Sequence, residues 1–313
     1  MGKFILKAAL FCLLTITISY SLDIFISKAF RPGNTCYAWN DIYNNNVNSD
    51  IVIFGSSRAI QHFDSQIIED SLSVSAYNLG LAGARIDISY LRLLELKKYA
   101  KKMPKIITLE VGFNTLENEY QMYLHHQIFP FMLFNKNVYE CTKHLEGFSK
   151  DQYWIPILRY SGYIFKCYEN SLLKNSNIIT TKGYIGFDNH FDSKGFEERK
   201  KENFSKTHII DSLHLNFLEK FVCFCSKENI QLNFVYTPEY YYGRKFFKNR
   251  LEVITFFQKY SESLGIPFKD FSNDTIINYN TEYFRDVQHL NKRGAEKFTS
   301  EMYIPWIKEL YGL

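Results

Sequence analysis

The sequence contains no run of lysines and arginines long enough to follow the phosphate backbone of a nucleic acid. The formal net charge at pH 7 is only +4. The pairs Lys101-Lys102 and Lys200-Lys201 lie in polar stretches, where we expect them to be solvated. Nucleic acid is therefore not an expected partner of this chain.

The spacings that mark metal sites are missing as well. The six cysteines include no C-x-x-C pair, and His125-His126 has no carboxylate or cysteine at ligand spacing. The other histidines, His289 excepted, show no partner pattern. We expect neither a metal ion nor a cofactor, and we expect the cysteines to be buried thiols.

Only one hydrophobic run is long enough to span a membrane. Phe4–Leu22 is apolar apart from Lys7 and several hydroxyl residues, and as a helix of about 19 residues it would reach roughly 28 Å. The alternative is a cleaved signal peptide, with Ser19 and Ser21 as the small residues before the cut. Apolar residues resume at Ile24, which favours a retained anchor over residues 1–27. Both interpretations place the rest of the chain outside the cytoplasm.

Beyond residue 50, short apolar runs alternate with segments of helical periodicity. A polar, Asn-rich segment at 28–49 precedes them, and we interpret it as a linker. The alternation predicts one α/β domain over 50–313, with a parallel sheet and helices on both faces. The predicted strands are Ile51–Phe54, Ser73–Leu81, Ile106–Val111, Gln231–Tyr236 and Pro267–Phe271. The predicted helices are Ile86–Tyr99, Ile209–Lys227, Arg250–Leu264 and Lys292–Leu310.

Residues 115–206 interrupt this alternation. The stretch is rich in aromatic, Asn and Lys residues, with a possible helix over Ile155–Leu173 and a loop over Gly183–Lys194. It is too long for a loop without structure of its own. We interpret it as an insertion that forms a cap or a wall of the substrate site.

Ser57 follows the first predicted strand, where ligands bind in parallel sheets. A Gly-Ser-Ser turn before a helix is by itself more typical of an N-cap. However, Asp286 and His289 lie three residues apart in the last loop, where one turn can present both side chains. A serine hydroxyl needs an imidazole to accept its proton and a carboxylate to orient that imidazole. We predict the triad Ser57, His289 and Asp286, with Ser56 as the alternative nucleophile.

Two further turns would supply hydrogen-bond donors to a developing oxyanion. Gly83 follows the second predicted strand, and Asn114 follows the third in the sequence Gly-Phe-Asn. The backbone N–H groups of Ser57 and Gly83 and the side-chain amide of Asn114 would together provide three donors.

These blocks resemble those of the SGNH (GDSL-type) hydrolase superfamily, which contributes Ser, Gly, Asn and His in this order. The resemblance covers roughly residues 50–115 and 205–311. It implies a three-layer α/β/α sandwich with a five-stranded parallel sheet. It also implies Ser57 as nucleophile, Gly83 and Asn114 as oxyanion donors, and Asp286 with His289 as the last pair.

The N-terminal run and the Gly-Ser-Ser form of the first block look most like the membrane-anchored branch. That branch includes the teichoic-acid D-alanine transfer protein and the alginate O-acetylation proteins. Two positions depart from the common pattern, since Ser56 replaces Asp in the first block and Thr115 replaces Asp in the third. The α/β-hydrolase elbow is the rival placement. That fold puts several strands before its serine, whereas here the serine ends the first.

Three residues near the strand ends are candidates for substrate contacts. Arg58 follows the predicted nucleophile and could hold an anionic group, although a structural ion pair is the alternative. Glu239 and Tyr240 follow the fourth strand, where a tyrosine could stack on a sugar ring.

We expect a serine esterase or O-acyltransferase that acts on acyl, first of all acetyl, esters of a cell-surface glycan. Such an enzyme could work with a multi-pass membrane acyltransferase. The alternative function is a non-catalytic glycan-binding or accessory partner of such an acyltransferase.

Overall fold

The computed structural model describes residues 1–31, 36–163, 165 and 180–313. The chain forms two compact units. Met1–Asp41 and Tyr120–Ile178 form one, which we call the N-terminal unit, and Ile42–Glu119 and Ile179–Leu313 form the other, the sheet unit. The predicted insertion is thus divided: its larger part belongs with the N-terminal segment, and its last residues belong with the sheet.

A five-stranded, entirely parallel sheet lies at the centre of the sheet unit. The strands are β1 (Ile51–Phe54), β2 (Ala76–Asn78), β3 (Ile106–Glu110), β4 (Gln231–Tyr236) and β5 (Phe268–Asp270). Their order in the sheet is β2-β1-β3-β4-β5. All residues of β1 and β3 are buried, which explains why both strands are almost continuous apolar runs in the sequence.

The second strand is shorter than the predicted Ser73–Leu81. Ser73 instead ends the preceding helix in a left-handed conformation, with φ 53°. After Asn78 the chain turns away, because the Asn78 carboxamide oxygen accepts the N–H of Gly80. Both ends of the predicted strand are therefore used for turns.

Helices cover both faces of the sheet. Neighbouring positions of a strand point to opposite faces, and the register places Phe54 and Thr108 on different ones. Phe54 packs against Phe221 of the helix Ser212–Lys227, whereas Thr108 is hydrogen-bonded to Tyr303, just before the helix Ile304–Tyr311. The helices of this unit are α3 (Ser57–His62), α4 (Ser65–Leu72), α5 (Ile86–Tyr99), α7 (Ser193–Lys201), α8 (Ser212–Lys227), α9 (Arg250–Leu264), α10 (Thr275–Asn278), α11 (Lys292–Phe298) and α12 (Ile304–Tyr311). The predicted α/β sandwich with five parallel strands is confirmed.

The predicted last helix, Lys292–Leu310, is divided by a π-helical turn at Thr299–Tyr303. Pro305 lies at the start of α12, and it has no N–H to donate to the preceding turn. The wider turn directs the Tyr303 hydroxyl to Thr108 at 2.7 Å and the Thr299 hydroxyl to the carbonyl of His62 at 3.1 Å.

The N-terminal unit begins with α1 (Gly2–Phe30), which is long and apolar enough to cross a membrane. Most of its side chains before Asp23 are exposed, and Asp23, Ser27 and Phe30 near its end are buried. The other helices described in this unit are α2 (Tyr37–Tyr43), which ends at the boundary with the sheet unit, and α6 (Lys136–Thr142).

The segment 28–49, which we interpreted as a linker, is folded in its described part. It contains the end of α1 and the whole of α2, and Trp39 is fully buried and stacked on Phe131. Large apolar side chains of this segment, such as Trp39, are buried, so its polar composition wrongly suggested a linker. The predicted helix over Ile155–Leu173 lies largely outside the described residues, and its described beginning contains a 3-10 turn at Leu158–Tyr160.

Candidate active site

Ser57 occupies the first position of α3, directly beyond the carboxyl end of β1. The turn between them depends on Gly55, whose φ is +141°. A Cβ at position 55 would lie 2.7 Å from Cβ of Glu110, so only glycine fits there. The short turn leaves Ser57 half-buried at the edge of the sheet.

Ser56 is fully engaged in holding this turn. Its hydroxyl donates to Oε2 of Glu110 at 2.8 Å and accepts the N–H of Arg58 at 3.2 Å, as the N-cap of α3. Its own N–H donates to the same carboxylate at 3.0 Å. With only 4% of its surface exposed, Ser56 is a structural residue, which leaves Ser57 as the hydroxyl open to a ligand.

Ser57, His289 and Asp286 form a continuous hydrogen-bonded chain. The Ser57 Oγ lies 2.7 Å from Nε2 of His289, and Nδ1 of His289 lies 2.9 Å from both carboxylate oxygens of Asp286. Because an ionised carboxylate can only accept, Nδ1 carries the proton and Nε2 is free to accept from the serine hydroxyl. The structure thus brings together the three residues of the predicted triad.

The Asp286 carboxylate is stabilised in its ionised form by its own turn. Burial is the largest single influence and works against ionisation, but the hydrogen bond and the electrostatic interaction with the His289 ring and the backbone N–H groups of Gln288 and His289 act against it. Together they hold the pKa of Asp286 below its ordinary value. The three-residue spacing noticed in the sequence produces this geometry.

The turn that carries His289 is held from several sides. The Arg285 N–H donates to the His289 carbonyl at 3.0 Å, and the N–H of Tyr240 donates to the carbonyl of Val287 at 3.1 Å. Phe284 and Leu290 form an antiparallel bridge across its base. The imidazole is therefore presented by a fixed loop.

His62 supports the same turn from the interior, a role that was not predicted from the sequence. The ring is fully buried, its Nε2 accepts the N–H of Leu290 at 3.0 Å, and its Nδ1 lies 2.9 Å from the hydroxyl of Thr237. Burial, Arg58 and His289 together lower the pKa of His62 well below its ordinary value, so the ring is neutral. Its partners are a backbone group and a threonine far away in the chain, which no spacing can reveal.

The predicted oxyanion residues lie in the turns that follow the two strands flanking β1. Gly83 is in the turn after β2, with a φ of 69°, and Asn114 is in the turn after β3. Thr115 closes the second turn, since its hydroxyl accepts the N–H of Gly112 at 2.9 Å. Gly83 and Asn114 are both half-buried, at the same edge of the sheet as Ser57.

The loop that carries Asn114 is held by aromatic stacking. The ring of Phe113 stacks on those of His208 and Phe247, with centroid distances of 4.5 Å and 4.6 Å. The His208 ring in turn lies 3.3 Å from the Glu117 carboxylate.

Arg58 and Glu239 are both buried and paired inside the protein, which agrees with the structural alternative for Arg58 and is contrary to our interpretation of Glu239. Arg58 is 3% exposed, and its guanidinium donates to the hydroxyl and the carbonyl of Thr237 and lies 4.5 Å from the centre of the Tyr236 ring. Glu239 is 2% exposed and accepts from the Tyr236 hydroxyl and from Arg250. Buried charges need such partners, so both side chains are structural.

Tyr240 remains at the rim of the site. It is 9% exposed, and its ring packs against Phe191, Phe196 and Phe284. Phe191 and Phe196 come from the end of the predicted insertion, the part that belongs to the sheet unit.

No family model and no curated protein matches the chain, but solved structures do. A GDSL-like lipase from Bacteroides thetaiotaomicron is 10% identical, with a TM-score of 0.40 over 88% of this chain and 99% of the other. A protein from Desulfitobacterium hafniense, described as lipolytic and of the G-D-S-L family, is 11% identical, with a TM-score of 0.39 over 82% and 99%. A protein from Bacteroides fragilis described as an acylhydrolase is 11% identical, with a TM-score of 0.40 over 86% and 96%.

These three solved structures are described as GDSL-type or acylhydrolase proteins. The resemblance to the SGNH superfamily rests on the order of the blocks in the sequence, on the sheet and on the geometry around Ser57.

Proposed function

We propose that this chain is a serine esterase or O-acyltransferase that works through an acyl-serine intermediate at Ser57. The observation that supports it is the hydrogen-bonded chain from Ser57 through His289 to Asp286, located at the carboxyl edge of a parallel sheet. A serine held at 2.7 Å from a histidine that is oriented by a carboxylate has the arrangement of an activated nucleophile.

In the proposed reaction, Nε2 of His289 removes the Ser57 proton while Oγ attacks the ester carbonyl. The negative charge that develops on the carbonyl oxygen is stabilised by the N–H groups of Ser57 and Gly83 and by the Asn114 amide. Collapse of this intermediate expels the alcohol, which takes the proton from the imidazolium. Water or a sugar hydroxyl then attacks the acyl-serine by the reverse steps, and Ser57 is regenerated.

We further propose that the substrate is an acyl ester of a cell-surface glycan, with acetyl as the first candidate for the acyl group. The apolar helix α1 supports a membrane-tethered protein whose sheet unit lies outside the cytoplasm. A multi-pass membrane acyltransferase would be a suitable source of the acyl group if the reaction is a transfer.

A fluorophosphonate probe tests the nucleophile directly. We expect the full-length protein to be labelled at Ser57, as located by peptide mass spectrometry, and we expect Ser57→Ala and His289→Ala to lose the label. Ser263→Ala is the matched control, because it removes an exposed hydroxyl on α9 and should retain the label. Absence of labelling in protein with a native circular dichroism spectrum would refute the enzyme and favour an accessory protein.

A second measurement separates hydrolysis from transfer. The protein is incubated with an activated acetyl ester and with an oligosaccharide, and the products are analysed by mass spectrometry. Free acetate alone indicates an esterase, whereas acetylated oligosaccharide that depends on Ser57 indicates a transferase.

A further inference from the structure

A cavity of about 650 Å³ opens in the sheet unit, beside the loop that follows β4. Its walls are the 3-10 turn Tyr241–Phe246 and the residues that lead into α9. Four of its ten lining residues are basic, and one, Glu252, is acidic. The basic residues are Arg244, Lys245, Lys248 and Arg250.

The positive charge of this cavity is only partly balanced within the protein. Arg244 and Arg250 share the single carboxylate of Glu239, with Nε of Arg244 at 3.3 Å. Burial and the charge of Arg250 lower the pKa of Arg244, as expected for a cation with too few anions around it. Lys245 and Lys248 are exposed, and within the described part of the chain neither forms an ion pair.

Flat aromatic rings lie next to these cations. Tyr241 and Tyr242 are exposed at the cavity, and Tyr241 is stacked on Tyr279 with 4.2 Å between the ring centroids. The guanidinium of Arg244 lies 4.8 Å from the centre of the Tyr241 ring. These contacts occupy the Tyr241 ring, which leaves the neighbouring Tyr242, 53% exposed and at 90° to both Tyr241 and Tyr279, as the ring that can contact the apolar face of a sugar.

The cavity walls contact both loops of the candidate active site. The 3-10 turn packs on Val287, between Asp286 and His289, so closely that a Cβ at Gly243 would lie 2.6 Å from Cβ of Val287. On the other side, Phe247 lines the cavity and stacks on Phe113, the neighbour of Asn114. The 3-10 turn and Phe247 thus separate the cavity from the loops that carry the triad and the oxyanion residue by one layer of residues.

We infer that this cavity is a binding subsite for an acidic saccharide, a sugar unit that carries a carboxylate or a phosphate group. The cations would pair with the anionic group while Tyr242 contacts the sugar ring. The inference rests on the proposed function in one respect, namely that this saccharide would belong to the glycan on which Ser57 acts.

Binding of unacylated oligosaccharides tests the subsite independently of any reaction at Ser57. Isothermal titration calorimetry on the full-length protein in detergent compares an oligogalacturonate, a phosphorylated manno-oligosaccharide and a neutral cello-oligosaccharide of matched length. We expect one or both acidic ligands to bind at least about tenfold more tightly than the neutral one, and the affinity to fall with added salt. The tighter acidic ligand identifies the anionic group as carboxylate or phosphate.

Substitutions test whether the ligand binds in the cavity. The double variant Lys245→Gln/Lys248→Gln changes exposed residues only, and we expect it to raise the Kd of the acidic ligand about tenfold. Lys259→Gln is the matched control, because it removes one exposed charge on α9 outside the cavity. Tyr242→Ala should weaken binding as well.

Three results would overturn the inference. They are equal affinity for acidic and neutral ligands, no binding of either acidic ligand, and a loss in Lys259→Gln as large as in the double variant. Fluorophosphonate labelling of Ser57 does not depend on any of these outcomes, so failure of the subsite can be distinguished from failure of the proposed enzyme.

Discussion

At the scale of single residues, the site depends on which polar groups are buried and what they contact. Ser56 and Ser57 are adjacent hydroxyls, yet one is tied to Glu110 and the other to His289. Burial likewise makes Arg58 and Glu239 internal, since both are at most 3% exposed. The type of a residue limits the reactions in which its side chain can take part, and its contacts determine whether that side chain is free to react.

His62 is a positioning residue for His289, and its replacement tests that role. In His62→Ala the N–H of Leu290 loses its acceptor inside the protein, which costs about 1–3 kcal/mol and loosens the turn beside the imidazole. We expect kcat for p-nitrophenyl acetate to fall by at least about tenfold with little change in KM, since positioning acts on the chemical step.

The exposed His190 provides a matched control, and His190→Ala should leave both kinetic constants unchanged. His62→Gln keeps a polar side chain that can accept a hydrogen bond, so it should recover part of the rate. A variant that loses thermal stability but retains the wild-type kcat would show that His62 only stabilises the fold.

At the scale of elements, the sheet is secured at its amino edge by Asp50, the residue before β1. Its carboxylate accepts from the Ser75 hydroxyl, which precedes β2, and pairs with Lys102 and Lys105, which precede β3. One side chain thus connects the starts of three neighbouring strands. The hydrogen bond from Lys102 is the largest cause that lowers the pKa of Asp50, to about 2.

This depressed pKa predicts a stabilisation with a defined pH range. A carboxylate whose folded pKa lies below its unfolded value of about 3.9 contributes stability that is fully present above the unfolded pKa. The contribution is lost as the pH falls through the folded value of about 2. We expect Asp50→Asn to lower the midpoint of urea unfolding at pH 7, and the difference from wild type to shrink below about pH 4.

Asp188→Asn is the control for the loss of one carboxylate, because Asp188 is exposed. It should leave the midpoint close to that of wild type. A deficit in Asp50→Asn that stays constant down to about pH 2 would contradict the electrostatic explanation.

At the scale of the whole molecule, local patterns predicted more than long-range contacts did. The strand β4 and the helices α5 and α9 have the predicted bounds, because alternation and helical periodicity are encoded in neighbouring residues. Asp286 and His289 were also found by a local spacing. Roles that depend on partners far away in the chain, such as that of His62, leave no such trace.

The division into two units was missed for the same reason. Residues 120–178 follow the sheet residues without a composition that separates them from the rest of the insertion. Their association with the N-terminal segment depends on contacts such as that of Ser27 with Tyr160, whose hydroxyls lie 2.7 Å apart. A pairing over that sequence distance cannot be derived from periodicity.

The buried pair of Asp23 and Arg159 is the strongest of these contacts in the N-terminal unit. Two guanidinium nitrogens of Arg159 donate to the two carboxylate oxygens of Asp23 at 2.7 Å and 2.6 Å, and both side chains are at most 3% exposed. A third donor, Nε, reaches the carbonyl of Phe129 at 2.6 Å. The last turns of α1 are thereby part of a folded unit, which supports the proposal that this helix is retained in the mature protein.

Breaking this pair should open the N-terminal unit. Asp23→Asn leaves Arg159 buried without a carboxylate, a change that typically costs about 3–5 kcal/mol. We expect limited proteolysis of the full-length protein in detergent to cleave within residues 120–163 more than about a hundredfold faster than in wild type.

Glu140→Gln, which removes an exposed pair with Lys143 in the same unit, is the control and should change the rate little. The double variant Asp23→Leu/Arg159→Met replaces the pair with apolar side chains of similar length and should restore resistance, because a buried pair often stabilises no more than good apolar packing. If Asp23→Asn were cleaved no faster than Glu140→Gln, the pair would not hold α1 in the unit, and the structural argument for a retained helix would fail with it.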